Sequence, residues 1–206
     1  MQKLSDFLDL ISILQIINDI EDVTPSIKSI KGMYYIYIKT NFILWKEHKI
    51  NIIFIEICKK EKLVDLYKRF VKQYFEITQK DDFFYLLQEL FDTNEYKMFI
   101  KTFYSENLLL KEKLEDRFKF FYSLKIGKEL EKIGIDYNKI NIIPNNFSTF
   151  SYAVSKDGIL YFIAGEIAGL DELEYSRDKG ISNDIFTFYI LSQIFKFSFK
   201  IQEKIK

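Results

Sequence analysis

Few side chains in this sequence are of the kinds that make and break bonds. There is one histidine, His48, and one cysteine, Cys58. His48 lies in the run Trp45-Lys46-Glu47-His48-Lys49. A Glu-x-Lys pair with an upstream acid belongs to the pattern of metal-dependent nucleases, where carboxylates hold Mg²⁺ and the lysine steadies the attacking water or the phosphate. Here the pair falls in an apparent turn, and no aspartate stands on a well-defined strand before it. Solvated lysines flanking a turn are the simpler reading, and no partner can be named for His48 as a general base. Cys58 has neither a second histidine nor a pairing motif beside it, so a buried, inert thiol is expected rather than a nucleophile. No glycine-rich phosphate loop or metal-ligand spacing occurs, so no catalytic residue, metal or cofactor is expected.

Two charged groupings remain. Lys59, Lys60, Lys62, Lys68, Arg69 and Lys72 surround one helical segment against Glu61 and Asp65, six minus two, or plus four. The functional reading is a nucleic-acid face that contacts phosphates; the plainer one is the solvated side of an amphipathic helix. Glu166, Asp171, Glu172, Glu174 and Asp178 with Arg177 give five minus one in the other sign, or minus four, around Tyr175. Their spacing matches no calcium loop and lacks its glycine. A solvated loop is the plain reading. Acidic groups around an aromatic anchor can also meet a basic protein surface, which makes Glu166, Asp171, Glu172, Glu174 and Tyr175 the expected protein-binding residues.

The elements that must position these groups come from pattern. The chain has 206 residues, 48% of them hydrophobic, enough for one domain with a substantial core. Only three of the 30 basic residues are arginine, alanine occurs three times, and Phe and Tyr number 21 and 14. These biases follow A/T-rich codons, so the lysine and aromatic excess is not taken as a nucleic-acid signature. Formal net charge is zero, and no global pull toward nucleic acid or an anionic membrane is expected. A lone cysteine fits a reducing compartment. Asp6, Asp9 and Asp19 break the first apolar run, against a signal peptide. The longest uncharged stretch, residues 140–155, is too rich in Asn, Ser and Thr to cross a bilayer. A cytoplasmic protein without membrane contact is the expectation.

Ser5 is a fitting N-cap for a helix to about Asn18, apolar on more than one side. Residues 23–32 read as a loop. Residues 33–39 and 50–58 are β-branched and aromatic without a helical period, and read as strands, paired with a further strand at residues 42–45 nearby. Leu63, Leu66, Tyr67, Phe70, Val71 and Tyr74 then recur at helical spacing, the clearest helix in the chain. Tyr67 and Tyr74 belong to that core stripe and are not read as a base-stacking platform. Further helices are expected from Asp82, Thr93 and Ser105, and over 127–133 with Gly134 as the left-handed residue after the last turn. Residues 147–154 and 159–164 read as a hairpin turning at Asp157-Gly158, since Asp-Gly supplies the positive φ of a type I′ turn. Asn183 caps a later helix, and the alternation of residues 195–201 favours a final strand.

The expected fold is therefore α+β: an N-terminal helix, and an antiparallel sheet from two β-pairs with a helical block inserted at about 60–134. The expected function is non-catalytic binding of another protein with a basic surface, as an inhibitor, immunity or anti-defence protein does. The alternatives are a nucleic-acid-associated protein or metal-dependent nuclease of a defence system and, third, an enzyme acting on a small molecule.

Overall fold

The computed structural model describes residues 2–20, 38–98, 101, 130–132, 134–145, 148 and 150–164. Within them the chain is mixed helix and strand. Helix α1 (Gln2–Ile17) forms the centre of the core. It packs on two other helices and on a strand, and every residue from Phe7 to Ile17 is buried. A helix apolar around its whole circumference is stable only when covered on all sides, which agrees with the breadth of its apolar surface. Ser5 does not cap it. The helix already runs through Gln2 and Lys3, and Ser5 is buried within the first turns.

The largest departure from expectation lies at residues 38–60. Residues 38–41 form a helical turn, Ile43–Glu47 a 3-10 helix, and Lys49–Lys60 the α-helix α2. The expected strands over 42–45 and 50–58 are therefore helical, as are the last two residues of the strand expected at 33–39; the rest of that segment lies outside the described residues. The reason is tertiary. Helical winding turns Ile50, Asn51 and Phe54 inward together, whereas a strand would have sent Ile50 and Asn51 to opposite faces. The local signals at its ends also suit a helix: His48 Nδ1 accepts from the Ile50 amide, and Lys59 and Lys60 sit in the last turn, where cations complement the dipole. Isoleucine is only a few tenths of a kcal/mol per residue less favourable in a helix than the best formers, and that deficit is overridden.

Helix α3 (Leu63–Tyr74) buries Leu63, Leu66, Tyr67, Phe70 and Val71, as its periodicity predicts. Helix α4 (Asp82–Phe91) starts where expected, but its cap is Asp81, whose carboxylate accepts from the Phe84 amide at 2.9 Å. Thr93 opens the next helical segment, residues 94–98, by accepting from the Tyr96 amide. Residues 130–132 are helical, and Gly134 has φ +79°. The Gly134 amide donates to Glu131 and the Ile135 amide to Leu130, the paired bonds of a Schellman ending. The helix expected from Ser105 lies outside the described residues.

The sheet differs from the one expected. Among the described residues its three strands lie between residues 140 and 164: β1 (Ile140–Pro144), β2 (Tyr152–Lys156) and β3 (Ile159–Ala164), in the order β1-β3-β2. β2 and β3 form the anticipated hairpin, closed by Asp157 and Gly158 at φ +52° and +73°. β1 pairs with β3 in parallel, Ile140 beside Leu160 through Pro144 beside Ala164. The sheet is thus mixed, not an antiparallel sheet of two β-pairs. β1 is hidden in the sequence by Asn141 and Pro144, which are poor strand formers. Pro144 is tolerated as the last residue of β1, an edge strand among the described residues, where its missing N–H costs little. Lys156 Nζ donates to the Phe75 carbonyl at 3.0 Å, tying the hairpin to the C-terminus of α3. No helix among the described residues is long and apolar enough to cross a membrane.

Candidate functional site

The segment read as a nuclease turn is a junction between two helices. Glu47 ends the 3-10 helix, His48 is the N-cap of α2, and Lys49 is its first residue. The imidazole is exposed and is occupied through Nδ1 in capping the Ile50 amide at 3.3 Å. Glu47 and Lys49 both point to solvent. Cys58 sits in the C-terminal half of α2, half-buried against the core rather than fully buried at the end of a strand.

The basic grouping divides in two. Arg69 is half-buried and bridges Glu61, in the connection between α2 and α3, to Asp81, the cap of α4. One guanidinium thereby ties three successive helices, a geometry its fork of donors suits. Lys68 lies 3.4 Å from Asp65. Lys59, Lys60, Lys62 and Lys72 are exposed and have no ion-pair partner among the described residues. Of the six predicted cations, four have no ion-pair partner among the described residues, and Arg69 is engaged internally. Glu166, Asp171, Glu172, Glu174 and Tyr175 lie outside the described residues, as do Asn183 and residues 195–201.

A buried polar chain joins α1, α3 and the loop between β1 and β2. Ser12 Oγ donates to the Leu8 carbonyl at 3.0 Å, so its single proton is spent there. The contact of 2.6 Å between Ser12 Oγ and the Tyr67 hydroxyl must then be donated by Tyr67. The Ser148 hydroxyl acts on the Tyr67 phenol in the opposite sense to burial, easing its ionisation, and the Phe150 amide donates to Ser148 Oγ at 3.1 Å. Phe150 also stacks on Tyr67, with centroids 4.8 Å apart. Tyr67 is fully enclosed. Its burial pushes the phenol well above its ordinary range, and the nearby Asp9 carboxyl pushes the same way, so Tyr67 stays protonated as a donor. This arrangement positions the loop and supplies no base at neutral pH. Asn145 extends it: its amide nitrogen donates to the Phe150 carbonyl at 3.1 Å, while its Oδ1 is buried with no partner among the described residues. A buried loop needs such internal partners for its polar groups.

The hydroxyl chain was not foreseen from the sequence. The available signal was polar residues, Asp9 and Ser12, inside an otherwise apolar helix. One other carboxyl stands out. Burial pushes Asp6 up to about 6, and the charge of Asp6, after burial, contributes to the upward shift of Tyr74. Among the described residues, no three His, Cys, Asp or Glu side chains come together in a way that could hold a metal ion. No protein-family model matches this chain, nor does any curated protein or solved structure.

Proposed function

We propose that this chain is a non-catalytic protein-binding domain that inhibits or neutralises a partner, in the manner of an immunity or anti-defence protein, and that it works in the cytoplasm. The observation that carries the reading is the run Glu166, Asp171, Glu172, Glu174 around Tyr175 on a chain of zero net charge. A concentrated acidic patch with an aromatic anchor steers a basic partner and then holds it. The residues on which a chemical reading leaned support this indirectly. His48 is occupied as a helix cap and Arg69 as a bridge between helices.

The test starts from a partner captured from the native host or its competitor. Reversing Asp171, Glu172 and Glu174 together to lysine should slow association and flatten its salt dependence. Tyr175→Ala should instead speed dissociation. Partner binding left unchanged at low salt by the triple reversal defeats the reading.

A second reading, a nucleic-acid-associated protein, is favoured by the four exposed cations Lys59, Lys60, Lys62 and Lys72. Its measurement is binding to random duplex and single strands against salt. A steep fall in affinity with salt supports it, and Lys59→Glu/Lys60→Glu should then reduce the slope by about two.

A further inference from the structure

Helix α2 carries more apolar surface than its own fold uses. Of its apolar side chains only Ile50 and Phe54 are fully buried, and Ile52 is 53% exposed. Just before it, the 3-10 helix leaves Ile43 and Leu44 47% and 79% exposed. The outward residues of α2 are Lys49, Ile52, Glu56, Lys59 and Lys60, a spacing of three and four that places them on one stripe. Neither Lys49 nor Glu56 has an ion-pair partner among the described residues.

Read along the helix, the centre of the stripe is cation, isoleucine, anion. Turned end for end it becomes anion, isoleucine, cation. Lys49 and Glu56 are seven residues apart, about 10 Å along the axis, with Ile52 close to the midpoint. An antiparallel copy of the same helix therefore sets Lys49 opposite Glu56 twice, with the two Ile52 side chains between them. Such self-complementarity is what an isologous two-fold contact requires. We infer that the outer face of α2 is a self-association surface and that its occupant is α2 of a second copy of this chain. Lys59 and Lys60 lie beyond the crossing point, where packed helices diverge.

The test is sedimentation equilibrium of the full chain from about 10 µM to 1 mM, the range in which small interfaces associate. A concentration-dependent dimer is expected. Ile52→Glu should weaken it at least about tenfold. Lys49→Glu and Glu56→Lys should each weaken it several-fold at low salt, because each sets like charges face to face. The double variant Lys49→Glu/Glu56→Lys restores the complementarity with reversed polarity and should return to within about twofold of the parent. All three positions of substitution face solvent, and circular dichroism checks that each variant is folded. A chain that stays monomeric throughout overturns the inference and leaves the stripe to a different partner. So does a dimer indifferent to Ile52→Glu, or a double variant no better than the singles.

Discussion

Helices α2 and α3 each run for twelve residues and follow one another directly, yet they are held in different ways. α3 turns a continuous apolar stripe to the core, buries one polar side chain, Gln73, and sends Lys72 outward, with Arg69 half-buried between Glu61 and Asp81. Phe70 sits edge-on to Phe7 at 5.7 Å and stacks on Phe84 at 4.9 Å. α2 buries only Ile50, Asn51 and Phe54, and one of those three is polar. The Asn51 side chain exchanges hydrogen bonds with Asn18 and donates to the Lys46 carbonyl at 3.0 Å, while Asn18 donates to the Leu14 carbonyl. α3 is thus secured chiefly by apolar burial and α2 in good part by a part-buried amide pair to the end of α1. Non-directional burial tolerates small shifts of a helix, whereas an amide pair fixes its register against α1.

The contrast is sharpest in core truncation. Phe70→Ala in α3 should cost about 3–5 kcal/mol, the range for emptying a well-packed aromatic site. Ile52→Ala in α2 should stay within about 0.5 kcal/mol, as at exposed positions. Urea unfolding at low protein concentration measures both, and comparable losses would erase the distinction.

The second prediction strikes α2 where it is secured. Asn51→Ala strands the Asn18 amide and the Lys46 carbonyl, and should cost about 1–3 kcal/mol despite removing almost no apolar area. A negligible loss by thermal melting would mean that apolar contact alone holds α2.

The third uses pH. Asp6 has an ordinary value of 3.8 and is pushed up to about 6 by burial beside the C-terminal end of α3. The folded state therefore holds the proton more tightly than the unfolded chain. Stability should fall as pH rises from about 4 through about 6, since burial penalises the charged form. Asp6→Asn removes that penalty. It should stabilise by about 1 kcal/mol at pH 7.5, once solvent screening of a partly exposed group is allowed for, and by nothing at pH 3. Melting curves at the two pH values decide it, and an equal shift at both would remove ionisation as the cause.

The smallest effect concerns how the two helices end. α2 passes into extended backbone at Glu61, φ −137°. α3 ends in a Schellman pattern in which Glu76, at φ +60°, donates to the Gln73 carbonyl while Ile77 donates to that of Lys72. A side chain in the left-handed region costs about 1–2 kcal/mol against glycine, part of which glycine gives back in the unfolded chain. Glu76→Gly should raise stability by about 0.5 kcal/mol, and Glu61→Gly should not. Destabilisation by Glu76→Gly would place the ending of α3 in a different backbone conformation.

What the sequence by itself determined was whatever depends on neighbours along the chain. The 63–74 stripe repeats with the pitch of a helix whatever covers it. Asp157-Gly158 accepts positive φ where two strands must turn, and Gly134 does so after a last helical turn. Thr93 reaches an amide three residues on, whereas the cap expected at Asp82 falls one residue earlier, on Asp81. The solvent side of a regular helix is equally local, which is why Lys72 was legible as an outward cation. Tertiary structure decided the remainder. Residues 49–60 have the composition of a strand, and only the pocket that takes Ile50, Asn51 and Phe54 together makes them a helix. β1 carries strand breakers and exists because β3 offers it a parallel edge. Arg69 reads as one more surface cation until Glu61 and Asp81 arrive from either side. Ser12 and Tyr67 are 55 residues apart, and no local pattern announces a hydrogen bond that only the packing of α1 against α3 brings together.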